Sequence, residues 1–196
     1  TIDKTAPTVT NVTSSTPNGA YRAGAVIDIQ VVFNEAVIVT GVPQLTLKTG
    51  TPNAVVNYTT TLTNTLLFRY SVATGQNSTD LDYASKTALA LNGGTIKDLA
   101  GNVATIGLAS PGSAGSLGAN KAIVIDNVAP DTTIKSNPAA SSGPTVSFTF
   151  TGADTGSGVA SFECSLDNAG FSICASPQGY TGLVAGPHVF QVRAID

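Results

Sequence analysis

The chain has 196 residues, enough for one large domain or two small ones, and Asp, Glu, Lys and Arg make up only 11% of it, against roughly 25% in an average soluble domain. A net charge of −3 with nine basic residues leaves no electrostatic footprint for nucleic acid. One histidine and two cysteines cannot build a zinc centre of ordinary composition. No apolar run approaches the ~18 residues of a membrane helix, and none resembles a leader peptide. The abundance of Thr, Val, Gly and Pro opposes long helices and favours strands.

In chain order, the first feature is Ile2-Asp3-Lys4-Thr5-Ala6-Pro7, which recurs as Ile125-Asp126-Asn127-Val128-Ala129-Pro130. Each copy precedes a Thr-rich, strand-like segment, and proline stiffens the passage into it. The repeat reads as a linker signature and divides the chain into modules 1–126 and 127–196. Strands are expected at Ala25–Phe33, Gln44–Lys48, Val55–Thr59, Leu66–Val72 and Ala119–Asp126, where apolar residues follow a period of two. Turn residues separate them at Pro17-Asn18-Gly19, Gly41-Val42-Pro43, Gly50 to Asn53 and Gly75-Gln76-Asn77. Tyr83 to Ala90 is the one stretch expected to form a helical turn. The second module alternates at Val146–Phe150, Phe162–Leu166 and His188–Ala194. The fold class predicted is all-β: two tandem antiparallel sandwiches joined by a short Pro-containing linker. The chain is expected to be a piece of a longer protein, its second module lacking a last strand.

Cys164 and Cys174 flank Asp167-Asn168-Ala169-Gly170. A hairpin centred on Ala169 would set the two cysteines opposite each other, and their bridge would imply an oxidising compartment. A redox pair would need C-x-x-C spacing and an electropositive setting, and neither is present.

Phe33-Asn34-Glu35-Ala36-Val37, the run from Leu89 to Asn102 with Asp98-Leu99-Ala100-Gly101-Asn102, and the ending Gly118 to Asp126 resemble the Ig-like (Big-type) repeats of large bacterial surface proteins. Pro130 to Ile134, Phe162 to Asp167, Phe171 to Cys174 and Tyr180 to Asp196 resemble a second bacterial Ig-like type. The resemblance implies a secreted or cell-surface location and a structural or adhesive stalk, monomeric, whose partners are neighbouring Ig-like domains and a host or cell-surface protein or glycan. The alternative is a carbohydrate- or protein-binding accessory module of a secreted enzyme. Neither reading involves nucleic acid or membrane insertion of this segment.

No enzyme is expected. A Ser-His-Asp set is implausible around the lone His188, and glycosidase work by Asp80 and Asp82 would need an aromatic cleft, which 6% aromatics without Trp make improbable. The acids have a second reading. In an Ig-like sandwich the start of the first strand, the loop after the second and the loop before the last meet at one end. That gathers Asp3, Glu35, Asp98 and Asn102 in the first module, and Asp126, Asp154 and Asp196 in the second. Oxygen donors of this kind suit Ca²⁺, which would stiffen the domain junctions; the plainer reading is that these acids accept hydrogen bonds from turn amides.

Overall fold

A computed structural model describes residues 2–139 and 143–196. These residues form an all-β protein with several sheets, in two compact units, Thr1–Asn127 and Val128–Asp196.

The first unit is built around β3 (Val26–Phe33). Ile27, Ile29, Val31 and Phe33 are all fully buried, while Asp28, Gln30 and Val32 turn outward, as the two-residue period of a pleated strand requires. β1 (Val9–Ser14) pairs antiparallel with one edge of β3 and β7 (Thr65–Ser71) with the other. β6 (Ala54–Leu62) changes partner along its length, pairing first with β5 (Gln44–Leu47) and then, beyond Tyr58, with β7. β8 (Leu89–Ala90) completes the order β1-β3-β7-β6-β5-β8. β4 (Ile38–Thr40) and β9 (Thr95–Lys97) form a separate two-stranded antiparallel sheet.

The core holds Phe33, Leu45, Leu47, Leu66, Phe68, Tyr70, Leu81, Tyr83, Ile96 and Ile123, all at most 2% exposed. Burying each such side chain contributes about 1.5–3 kcal/mol. The density of large apolar groups explains how a chain with so few charges holds together.

Two segments differ from expectation. Tyr83 to Ala90 is mostly committed to strand contacts: Ala84 donates to the Thr46 carbonyl, Thr46 to that of Ala88, and Tyr83 bridges Leu47. Between these β5 contacts the stretch makes a single tight turn, in which Ala88 donates to the Ser85 carbonyl, and no helix. Ala119 and Asn120 likewise do not begin the closing strand. They end a one-turn helix, α1 (Leu117–Asn120), whose N-cap Ser116 accepts from the Ala119 N–H and whose Leu117 is fully buried. The strand that follows, β10 (Ile123–Ile125), pairs parallel with β2 (Gly19–Tyr21), a departure from a purely antiparallel arrangement.

The end of β10 is stitched down heavily. Ile125 and Ser78 exchange both backbone hydrogen bonds, and Asp126 donates to the Tyr21 carbonyl. Asn127 then spends its whole amide: Oδ1 accepts from Ala23 at 2.7 Å, and Nδ2 donates to Gln76 at 2.6 Å and Ala73 at 3.3 Å. Its N–H donates to Asn77 Oδ1 at 2.8 Å.

The second unit has two three-stranded sheets. One runs β11 (Asp131–Ser136), β12 (Val146–Ala153), β15 (Gln178–Tyr180). The other runs β14 (Ser172–Cys174), β13 (Ser161–Leu166), β16 (Phe190–Ile195). Phe148 and Phe190, one from each sheet, stack with ring centroids 4.0 Å apart. His188 lies in the loop before β16 rather than in the strand.

Cys164 and Cys174 form a disulfide, with Cα atoms 5.7 Å apart. They are not directly opposite, however: Cys164 pairs with Ser172 and Cys174 with Phe162, so the bridge runs diagonally. Asp167 and Asn168 take left-handed φ angles of 53° and 59°, and Ala169 donates to the Leu166 carbonyl. The tight turn therefore sits on Asp167-Asn168, ahead of the Cys–Cys midpoint. Asp and Asn tolerate left-handed conformations that match the twist of the flanking strands.

Candidate metal centre

Three carboxylates from three separate segments converge at one end of the first unit. Oxygens of Asp3, Glu35 and Asp98 all lie within 4.8 Å of one another, the only such group of three acids, histidines or cysteines among the described residues. Each arrives by a local device.

Asp3 sits ahead of β1 and accepts from the Thr5 N–H at 2.9 Å, closing an Asx-type turn. The segment after it is anchored where Thr8 donates to Asn34 Oδ1 at 2.7 Å, Asn34 donates to the Thr8 carbonyl, and Thr105 donates to the Pro7 carbonyl. Those bonds carry the N-terminal segment past the β3–β4 turn, which presents Glu35. Asp98 follows β9 in a turn closed by Asp98 N–H to the Asn102 carbonyl, with Gly101 at φ +93°.

The three differ in setting: Asp3 is exposed, Glu35 half-buried and Asp98 buried. Asp98 is held by Asn102, whose N–H donates to Oδ1 at 2.8 Å and whose Nδ2 donates to Oδ2 at 2.7 Å. Desolvation alone would push its pKa up, but hydrogen bonds from Asn102, Gly101 and Ala100 outweigh it and hold the carboxyl below its ordinary range. Asp98 is therefore a firm anion. Asn102 Nδ2 also reaches the Asp3 carbonyl at 3.3 Å, tying two of the three segments together.

Hydrogen-bonded carboxylate oxygens retain lone pairs, and an all-oxygen donor set suits a hard cation. Asp3, Glu35 and Asp98 could hold such an ion, with Asn102 orienting Asp98 through its N–H and Nδ2.

The remaining acids lie elsewhere. Asp126 belongs to the first unit and is buried at 4% exposure; Asp154 and Asp196 belong to the second. Asp154 Oδ2 accepts from Gly156 and Gly158, both at 2.8 Å, capping its own turn. Asp196 follows β16 and is exposed.

Two acids have structural roles that the sequence did not reveal: Asp82, read only as half of an acid pair, and Asp167, read only as a turn residue. Asp82 is buried and accepts from Tyr83 N–H and Gly112 N–H through its two oxygens; burial and the charge of Asp82 push its neighbour Asp80 up. Asp167 orients His188, whose Nδ1 lies 2.7 Å from Oδ2 and whose Nε2 lies 2.9 Å from the Val184 carbonyl. The polar turn after Leu166 was the available signal for the second of these.

No family model matches the chain, and no curated protein or solved structure matches it either. Among the described residues no helix is long and apolar enough to cross a membrane.

Proposed function

We propose that the chain is a pair of structural modules from a bacterial extracellular or cell-surface protein, of the Ig-like repeat kind. In this reading Ca²⁺ held by Asp3, Glu35 and Asp98 locks the N-terminal segment onto the body of the first unit. The observation that carries it is the convergence of those carboxylates. With only twelve acids in the chain, three brought within 4.8 Å repel one another unless a cation or protons intervene, and Asp98 is held in its charged form.

The disulfide in the second unit supports an oxidising compartment. The function is then mechanical: sandwiches in series extend a chain that a neighbouring module continues, projecting a part that engages a host or cell-surface protein or glycan.

Thermal melts test the cation directly. After EGTA, adding millimolar Ca²⁺ should raise the melting temperature of one transition, since ligand at about 100 times its Kd adds about 2.7 kcal/mol. Glu35→Gln, which keeps the shape but removes a charge, should abolish most of that shift. A melt unmoved by Ca²⁺ would overturn the calcium reading.

A further inference from the structure

We propose that the first unit binds a uronate-bearing oligosaccharide in the groove that opens where β6 leaves β7. The groove shares no residue with the Asp3, Glu35 and Asp98 cluster, so this site is independent of the cation.

The groove follows from strand pairing. β6 pairs with β7 only from Tyr58 onward, and residues 54–57 pair with β5 instead. Arg69, Tyr70 and Ser71 keep β3 as their partner and have no counterpart in the β6 register. The two strands therefore part, and a cleft of about 660 Å³ lies between them, within the roughly 300–1,000 Å³ of small-ligand sites.

Main-chain groups face the cleft from both walls. Tyr58 N–H donates to the Pro43 carbonyl, on the β5 side, and Val72 exchanges hydrogen bonds with Ala25 and Gly24, on the β3 side. Backbone direction alternates along a strand, so Val55 and Ser71 turn their N–H and C=O groups inward to the cleft.

The side chains add donors and no acid. Asn53 Oδ1 accepts from the Thr49 N–H at 3.3 Å and Asn57 Oδ1 from Gln44 Nε2 at 3.0 Å. Gln76 Oε1 accepts from the Tyr70 hydroxyl at 2.8 Å and the Ala73 N–H at 2.9 Å. These bonds fix which end of each amide is oxygen and leave the three NH₂ groups without a partner among the described residues. Arg69 donates through Nε and Nη2 to Asp28 at 2.9 and 3.4 Å, which steadies the guanidinium and leaves Nη1 open. No Asp or Glu lines the groove.

A wall rich in N–H donors, with one guanidinium and no carboxylate, selects a ligand that carries acceptor oxygens and negative charge. Val55, 56% exposed, and half-buried Tyr58 supply apolar surface for the C–H face of a sugar ring. The open carbonyls of Val55 and Ser71 accept from ring hydroxyls. A hexuronate offers carboxylate, hydroxyls and an apolar ring face together. An extended peptide fits less well, because each unpaired edge is only a few residues long and the peptide's own N–H groups would meet a surplus of donors.

Titration of the whole chain in EGTA, followed by amide ¹H–¹⁵N NMR, tests this with hexamers of galacturonate, glucuronate and mannuronate as probes. At least one should bind with a Kd of about 1 mM or below, shifting resonances of residues 53–59, 69–71 and 76. EGTA keeps Ca²⁺ from bridging the probe to the acidic cluster, so failure here and failure of the calcium reading are told apart. The methyl ester of the bound hexamer keeps ring and hydroxyls but loses the charge, and should bind about tenfold more weakly. Gln76→Glu keeps an oxygen for the Tyr70 hydroxyl and the Ala73 N–H while replacing the NH₂ with a second oxygen. It should weaken binding by a similar factor, and an unchanged circular-dichroism melt separates this from misfolding. A chain silent toward all three hexamers overturns the inference, as do shifts located elsewhere. A methyl ester that binds as tightly as the acid, or a Gln76→Glu variant that binds as the parent does, overturns it equally.

Discussion

His188 is held at both ring nitrogens by acceptors, the Asp167 carboxylate and the Val184 carbonyl. Only the imidazolium donates at both, and these partners, Val184 first and then Asp167, raise its pKa. His188 in turn, with the Val189 N–H, lowers that of Asp167. The signs define a window. The raised histidine contributes stability below its ordinary pKa near 6.5 and loses it as pH rises through the folded value. The lowered aspartate contributes above its ordinary pKa of 3.8 and loses it as pH falls through its own. The second unit should therefore melt higher at about pH 5.5 than at about pH 8.5, and His188→Gln should flatten that difference. At this scale the acids Asp3, Glu35 and Asp98 were legible, because strand order and loop position place them at one end of a sandwich. Asn127 was not. Its partners Ala23, Ala73, Gln76 and Asn77 lie far away in sequence, and nothing local marks them.

Among the elements, β3 was readable because Ile27, Ile29, Val31 and Phe33 alternate with more exposed residues, and burial follows that alternation. The α1 turn was not: four residues are too few to show a helical period, and what makes it is one cap, Ser116, and one buried Leu117. Ser116→Ala should cost about 1 kcal/mol in denaturant unfolding of the first unit. The Cys164–Cys174 hairpin was legible as a pair but misjudged in register, since left-handed Asp167 and Asn168 move the turn toward its N-terminal side. A tighter constraint binds β4 to β9. A Cβ on Gly94 would lie 2.1 Å from the Thr40 carbonyl oxygen, a backbone atom that cannot turn aside. Gly94→Ala should destabilise the first unit by about 1–3 kcal/mol, measured by urea unfolding.

For the molecule as a whole, the two units differ in what stabilises them. The first has a dense apolar core that needs no crosslink; the second has few buried side chains and one disulfide. Calorimetry should resolve two transitions. Reduction, or Cys174→Ser, should lower only that of the second unit, by about 2–3 kcal/mol in the chain-entropy picture; a shift shared equally by both would contradict independent units.

The clasp at Asn127 gives the first unit a mechanical property. Tension transmitted along the chain from Val128 arrives first at an amide bonded to Ala23, Ala73 and Gln76. Behind it lies β10, in parallel register with β2. A pull along β10 shears that ladder, so its hydrogen bonds share the load instead of opening one after another. Asn127→Ala should lower the rupture force of the first unit in single-molecule extension while leaving its melting temperature less affected.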